Sequence, residues 1–283
     1  MDQWIIDYQL ACRIGLFFLF LTIFSWWESK APWRPGLNAR PLRFARHLGL
    51  ALISGLCVRL MFPLLTIGAA VIVEQKQIGI LNHSHLPYIT KIALGIVALD
   101  FVIYLQHRVL HRYQLLWRIH KVHHIDKQVD VSTGVRFHPL EALFTMTAKI
   151  LGVLFFGVPV LGVFLFEVLL NLASLYTHLN INLERSTDKI LRRVMVTPHM
   201  HRIHHSDYLE ETNSNYGFCF SWWDKLFGTY TLYPMAGERK YMVGLEDYRA
   251  GQYQTLKNML LLPFNFKYLK IRPKKIMKTK KTI

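Results

Sequence analysis

The sequence predicts an all-α, polytopic membrane protein with about four transmembrane helices and a cytoplasmic, histidine-rich helical cap. Three observations predict it. Long apolar stretches recur along the chain, basic residues gather in alternate connections between them, and histidines crowd just beyond the later stretches. The 283 residues are 52% hydrophobic and only 18% charged, with mean hydropathy +0.21. Soluble chains carry roughly 25% charged residues, so this composition argues against an ordinary soluble globule and excludes a disordered chain. Three cysteines are too few and too scattered for a disulfide framework or a thiolate zinc site. The net charge of +16 in so apolar a chain points to a cytoplasmic membrane face rather than to nucleic acid.

The elements follow in order. Leu10 to Trp27 carries one charge, Arg13, and Leu48 to Val73 carries one, Arg59. Each covers the roughly 20 residues that cross the hydrocarbon core, and each is predicted as a span. Ile89 to Leu105, with Lys91 and Asp100, is shorter and is predicted as a third. Ile150 to Tyr176 carries only Glu167 and is interrupted at Gly157-Val158-Pro159. Proline breaks or kinks a helix. The segment is therefore read as a hairpin, from about Pro139 to Phe156 and back from Pro159 to Thr177, the alternative being one tilted, kinked helix. The hairpin returns His178 to the side of the other histidines. The leader Met1-Asp2-Gln3-Trp4 has no basic residue and no small-residue cleavage site after it, so the first segment is expected to stay as a span rather than act as a signal peptide.

Charge sets the expected orientation. Lys30, Arg34, Arg40, Arg43 and Arg46 lie between the first two spans against the single acid Glu28, which puts that loop in the cytoplasm. The N-terminus, with Asp2 and Asp7, and the loop Glu74 to Tyr88 are then outside. The chain returns to the cytoplasm near Gln106. The tail from Phe266 to Ile283 has eight lysines and arginines and no acid, and is expected to lie against anionic headgroups. The division expected is 1–88 for an N-terminal transmembrane region, 89–235 for a catalytic domain and 236–283 for a basic cytoplasmic tail.

Three histidine clusters carry the chemistry: His107-Arg-Val-Leu-His111, His120-Lys-Val-His123-His124 and His201-Arg-Ile-His204-His205. Positions i, i+3 and i+4 share a helix face, so each helical cluster aims two or three imidazoles one way. Neutral imidazole is the commonest protein metal ligand. Packing has no use for so many imidazoles, and burying them unpaired is costly. His178 stands where the hairpin re-emerges and is expected to join them. His138, in Arg136-Phe-His-Pro139, is expected either to support the ligands or to begin a helix. His199 and Asp224 are further candidates for support from behind. His83 and His85 are read as surface residues. Eight or nine imidazoles exceed what one ion can use, so two ions are expected. The donor set suits iron, zinc and copper alike. The absence of thiolates argues against structural zinc, and there is no HExxH.

The HxxxH, HxxHH, HxxHH order on an apolar chain resembles the sterol desaturase/fatty acid hydroxylase superfamily of integral-membrane, histidine-rich di-iron oxygenases. The likeness is carried by Asp100-Phe-Val-Ile-Tyr104-Leu-Gln-His107-Arg108, Leu116-Trp-Arg-Ile-His120-Lys-Val-His123-His124, Arg136-Phe-His-Pro-Leu-Glu141 and Thr177-His178-Leu-Asn180. It continues through Pro198-His-Met-His-Arg-Ile-His-His-Ser206, Asn215-Tyr-Gly217 and Trp223-Asp-Lys-Leu-Phe-Gly-Thr-Tyr230. It covers about Ile89 to Tyr230. The resemblance implies that His107, His111, His120, His123, His124, His178, His201, His204 and His205 bind two iron ions, with zinc an alternative occupant in purified samples. Some family members have another histidine where Asn182 stands, which leaves that position to a supporting role.

The resemblance further implies an O2-dependent oxidoreductase, a monooxygenase or desaturase of lipid metabolism. It would act on a C–H bond of a fatty acyl, ether-lipid or sterol-like molecule, with hydroxylation favoured over desaturation. Electrons would come from a separate donor of cytochrome b5, ferredoxin or reductase type, docking on basic residues such as Arg192 and Arg193. The expected location is a bacterial inner membrane, or the endoplasmic reticulum in a eukaryote, where Lys280-Lys281 would resemble a retrieval signal. The alternative is a non-enzymatic membrane metal transporter or haem-binding electron carrier. Transporter ligands lie at mid-bilayer, whereas these lie at the ends of the apolar stretches.

Overall fold

A computed structural model describes residues 2–34, 40–62, 64–237 and 240–265. The tail from 266 on, with its lysines and the Lys280-Lys281 pair, lies outside the described residues. No strand occurs among them, and isolated bridges such as Pro32 with Ile181 and Met195 with Phe220 are the only extended pairings.

Long helices form the membrane-sized body: α1 (Asp2–Lys30), α2 (Arg40–Met61), α3 (Leu65–Lys76), α4 (Tyr88–Arg112), α6 (Pro139–Phe156) and α7 (Val160–Thr177). Short helices form the cap: α5 (Gln114–His124), α8 (Arg185–Leu191), α9 (Pro198–His204), α10 (Leu209–Thr212), α11 (Trp222–Leu226) and α12 (Leu256–Leu261). Among the described residues, five segments are long and apolar enough to cross a membrane: Trp4–Lys30, Arg40–Lys76, Tyr88–Arg112, Pro139–Phe156 and Val160–Thr177. The last two of these are the two arms of the expected hairpin, α6 and α7. α6 begins at Pro139, whose missing N–H costs nothing in a first helical turn, and His138 caps it by accepting the Leu140 N–H.

The hairpin turn is fixed by two glycines. Gly157 ends α6 with φ +72° and Gly79 has φ +91°, and a Cβ on Gly79 would meet the Gly157 backbone nitrogen at 2.2 Å. Only glycine accepts both the dihedral and the approach. Ile80 and Leu81 donate their N–H groups to Phe155 and Phe156 there, tying the α3–α4 connection to the hairpin tip.

The second apolar stretch, expected as one span, carries α2 and α3 as separate helices. The sequence contains Pro63 between them, which removes a donor and clashes with the preceding turn of a continuous helix.

The body is apolar outside as well as inside. Leu10, Phe18, Leu52, Leu60, Ile89, Leu151 and Phe155 are exposed, while Leu99, Ile103, Val153, Val163 and Phe166 fill the centre between α4, α6 and α7. In lipid, packing rather than water exclusion holds such helices. Asp100 joins the body to the cap. Buried on α4, it accepts the N–H groups of Cys219 and Phe220, both at 3.1 Å, and the Trp223 indole N–H at 2.9 Å.

Candidate metal centre

All nine histidines expected as ligands are brought together at the junction of body and cap. They form two groups, within each of which the ring nitrogens lie within 4.8 Å of one another: His107, His111, His120, His124 and His204 in one, His123, His178, His201 and His205 in the other. The two HxxHH runs divide between them in opposite senses. On α5 the outer pair His120 and His124 serves the five-membered group and His123 the other. On α9 the outer pair, His201 and the capping His205, serves the four-membered group and His204 the other. The groups lie side by side, with the rings of His124 and His205 stacked at 4.6 Å between centroids.

In four of the nine rings the far nitrogen is pinned, while Nδ1 of His123, His124, His201 and His205 is buried without a partner among the described residues. His107 Nδ1–H donates to the Tyr216 carbonyl at 2.8 Å, His204 Nδ1–H to Ser214 O at 2.7 Å and His178 Nδ1–H to Ser174 O at 2.6 Å. His120 Nδ1–H donates to Glu141 Oε1 at 2.6 Å. A neutral imidazole that donates from Nδ1 carries its lone pair on Nε2. These lone pairs converge: His107 and His120 Nε2 are 3.0 Å apart, and His178 Nε2 lies 3.1, 3.0 and 3.2 Å from those of His123, His201 and His205. Facing lone pairs repel unless a cation lies between them. Nitrogens at about 2.1 Å from one ion and at right angles across it stand about 3.0 Å apart, so the spacing fits shared ligation. His204 Nε2 and both ring nitrogens of His111 are buried without a partner among the described residues, as donors awaiting an ion would be.

Burial also keeps six of the rings neutral. It pushes His178 down to about 4 and His204 down to about 3, and holds His123, His124, His201 and His205 well below the usual imidazole value, with neighbouring rings adding to the effect in each of the last four.

The expected supporting residues fare differently. Asp224, buried, accepts the Tyr216 and Gly217 N–H groups, both at 2.8 Å, and the Thr229 hydroxyl. It thereby holds the peptide segment whose carbonyl orients His107. Burial raises its carboxyl to about 6, against those hydrogen bonds, which lower it. His138 caps α6 and donates to Leu260 O, His199 accepts the Leu183 N–H, and Asn182 is exposed. None of these three belongs to either nitrogen group. His83 and His85 are exposed as expected. Arg192, considered as a docking residue, is buried and paired with Asp188 at 2.6 Å, while Arg193 is exposed. Glu141 was missed as a functional residue. The sequence held a signal, since it lies in the Arg136–Glu141 run, but not its target, because His120 is 21 positions earlier.

A cavity of about 320 Å³ leads from these groups into the helical body. His107, His120, His123 and His201 share its lining with Ile103, Leu110, Val135 and Met146, and Lys149, about two turns of α6 beyond Glu141, lines it together with Arg13 and Glu167.

Comparison with known proteins matches residues 92–229 to the fatty acid hydroxylase family. The chain is similar to ornithine lipid hydroxylase OlsE of Rhizobium tropici, 34% identical over 52% of this chain and 45% of that protein. It is similar to human alkylglycerol monooxygenase, 29% identical over 47% of this chain and 29% of the relative. Methylsterol monooxygenase 1 of Rattus norvegicus is 27% identical over 50% and 46%. The matched segment thus spans under half the length of each of these relatives. No solved structure matches the chain.

Proposed function

Because residues 92–229 belong to the fatty acid hydroxylase family, within the sterol desaturase/fatty acid hydroxylase superfamily, we propose that this protein is a membrane-bound di-iron oxygenase. It hydroxylates a C–H bond of a lipid, using O2 and electrons from a separate donor protein. The observation that carries the reading is the division of nine buried histidines into two convergent nitrogen groups. Ornithine lipid hydroxylase, alkylglycerol monooxygenase and methylsterol monooxygenase among the relatives support a lipid as substrate class.

The five-membered group would hold one iron and the four-membered group the other. When loaded, such a centre supplies the reductive activation of O2 needed to oxidise an unactivated C–H bond. The chain's own residues prepare the place for it. Glu141, Ser174, Ser214 and Tyr216 hold ring N–H groups so that Nε2 faces inward, which fixes tautomer and orientation. The apolar walls of the cavity keep water from the reacting carbon, and a lipid chain reaches the histidines from within the bilayer. The cap faces the cytoplasm in this reading, where reductants are available.

The test is untargeted lipidomics on cells expressing the wild type beside His123→Ala and His204→Ala, in air. A lipid gaining one oxygen atom in the wild type and in neither variant supports the hydroxylase and names its substrate. Loss of two hydrogens instead makes it a desaturase. Absence of iron from purified wild type, with no lipid change, overturns the reading.

A further inference from the structure

The cavity holds three charges that the proposed chemistry leaves unused. Glu167 on α7 is buried and fully engaged. Its Oε1 accepts from Lys149 Nζ at 2.7 Å and the Thr66 hydroxyl at 2.9 Å, and its Oε2 accepts from Arg13 at 2.9 Å. The two cations are not used up in return. Lys149 has three N–H groups and Arg13 five, and one of each goes to Glu167. Arg13 Nε is buried without a partner among the described residues. Two cations against one carboxylate leave an excess positive charge inside the helical body. Charge there is expensive and marks substrate pathways.

A staple between helices would need one cation per carboxylate. This cluster has a spare one, and the free hydrogen-bonding capacity of its two cations is all donor. Its complement is an acceptor, and the charge count makes that acceptor anionic. We propose that Arg13 and Lys149 bind an anionic oxygen group, a carboxylate or phosphate, at one end of the lipid substrate. The distance from this anchor to the histidines then selects the carbon oxidised. The proposal rests on the lipid-oxidising reading of the same cavity. Lys149 lies eight residues along α6 from Glu141, which holds His120, so anchor and metal groups are separated by roughly 12 Å of helix. The wall between them has room for a chain. Gly55 lines the cavity, and a Cβ added there would meet nothing within 4 Å.

The experiment uses the full chain, purified after incubation with iron, in neutral maltoside micelles and reads the melting temperature against added dodecanoate, dodecyl phosphate and methyl dodecanoate. Both anions should stabilise the protein at concentrations about tenfold or more below the ester, and the tighter of the two names the head group. Lys149→Gln should lose that preference, Lys149→Arg should keep it, and Gly55→Phe should lose binding of all three. If Lys149→Gln does not fold, Arg13→Gln carries the same test. Equal binding of anion and ester to the wild type, or an anion preference unchanged in the folded Gln variant, overturns the anchor. An intact, Lys149-dependent anion preference in a protein that holds no iron and oxidises no lipid supports the anchor and counts against the oxygenase reading alone.

Discussion

His120 and Glu141 meet across the α5–α6 junction, with the ring Nδ1–H donating to Oε1 at 2.6 Å. Both side chains are buried, and Glu141 Oε2 has no partner among the described residues. The contact fixes the tautomer of a ring that lies 3.0 Å from His107 and 3.1 Å from His124, nitrogen to nitrogen. Removing such a partner costs about 10–100-fold in metal affinity or activity. Glu141→Leu should lose iron at correspondingly higher chelator-buffered free-metal levels. Glu141→Gln, whose amide oxygen still accepts, should fall between it and the wild type. Iron content at a series of buffered concentrations measures both.

The interleaving of the two HxxHH runs makes a second prediction about stoichiometry. His204 belongs to the five-membered group and His123 to the four-membered one. Each alanine variant should therefore lower iron from two ions per chain towards one rather than to zero, while both abolish lipid oxidation. Elemental analysis of the purified variants decides it. Equal and complete loss of metal in both would show that the groups load as one unit.

Much of this arrangement was legible in the residues, and the illegible part has a physical reason. Histidine spacing reports which imidazoles share a helix face, so eight of the candidates could be named from it, and His178 from the hairpin that returns it. It does not report which of two neighbouring ions each face meets, because that depends on how α5 and α9 pack. The hairpin was legible through Gly157 and Pro159, whose backbone demands are local. The break within the second apolar stretch had the same signal in Pro63, but the continuous hydropathy around it reads as one span. Glu141 and Asp100 act across 21 and 119 or more positions respectively, and no local pattern reveals such partners. Lys149 and Glu167 read as isolated charges in apolar stretches until the fold sets them beside Arg13.

Acid should destabilise the metal-free protein. Unfolded histidines take up protons below about pH 6.5, whereas burial keeps the folded His178 neutral down to about 4 and His204 down to about 3. Between these limits the unfolded chain binds more protons, so stability falls as pH drops. The melting temperature of chelator-treated protein should decline steadily from pH 7 to pH 4.5. Bound iron should flatten the upper part of that decline, since ligated nitrogens cannot be protonated until the metal leaves. A pH-independent melting temperature over this range would contradict neutral, buried imidazoles.

Asp100 gives the sharpest stability prediction, because one side chain satisfies three donors from a segment that closes the cap. The Cys219 and Phe220 N–H groups and the Trp223 indole all end on its two oxygens. The same segment continues into α11, where Asp224 holds the Tyr216 peptide behind His107. Asp100→Ala leaves the three donors without this acceptor, and each unsatisfied buried group costs about 1–3 kcal/mol. A loss on the order of 3 kcal/mol or more is expected from that sum, read as a large fall in melting temperature and in yield from the membrane. Asp100→Asn keeps one carbonyl acceptor but turns an amide towards donors, and should recover only part of the loss. Because the damage passes through Tyr216 to His107, the Asn variant should also hold iron more weakly in the five-membered group than in the four-membered one. A site-resolved Mössbauer spectrum of the folded variant would show that asymmetry, and equal weakening of both sites would mean that the segment acts on stability alone.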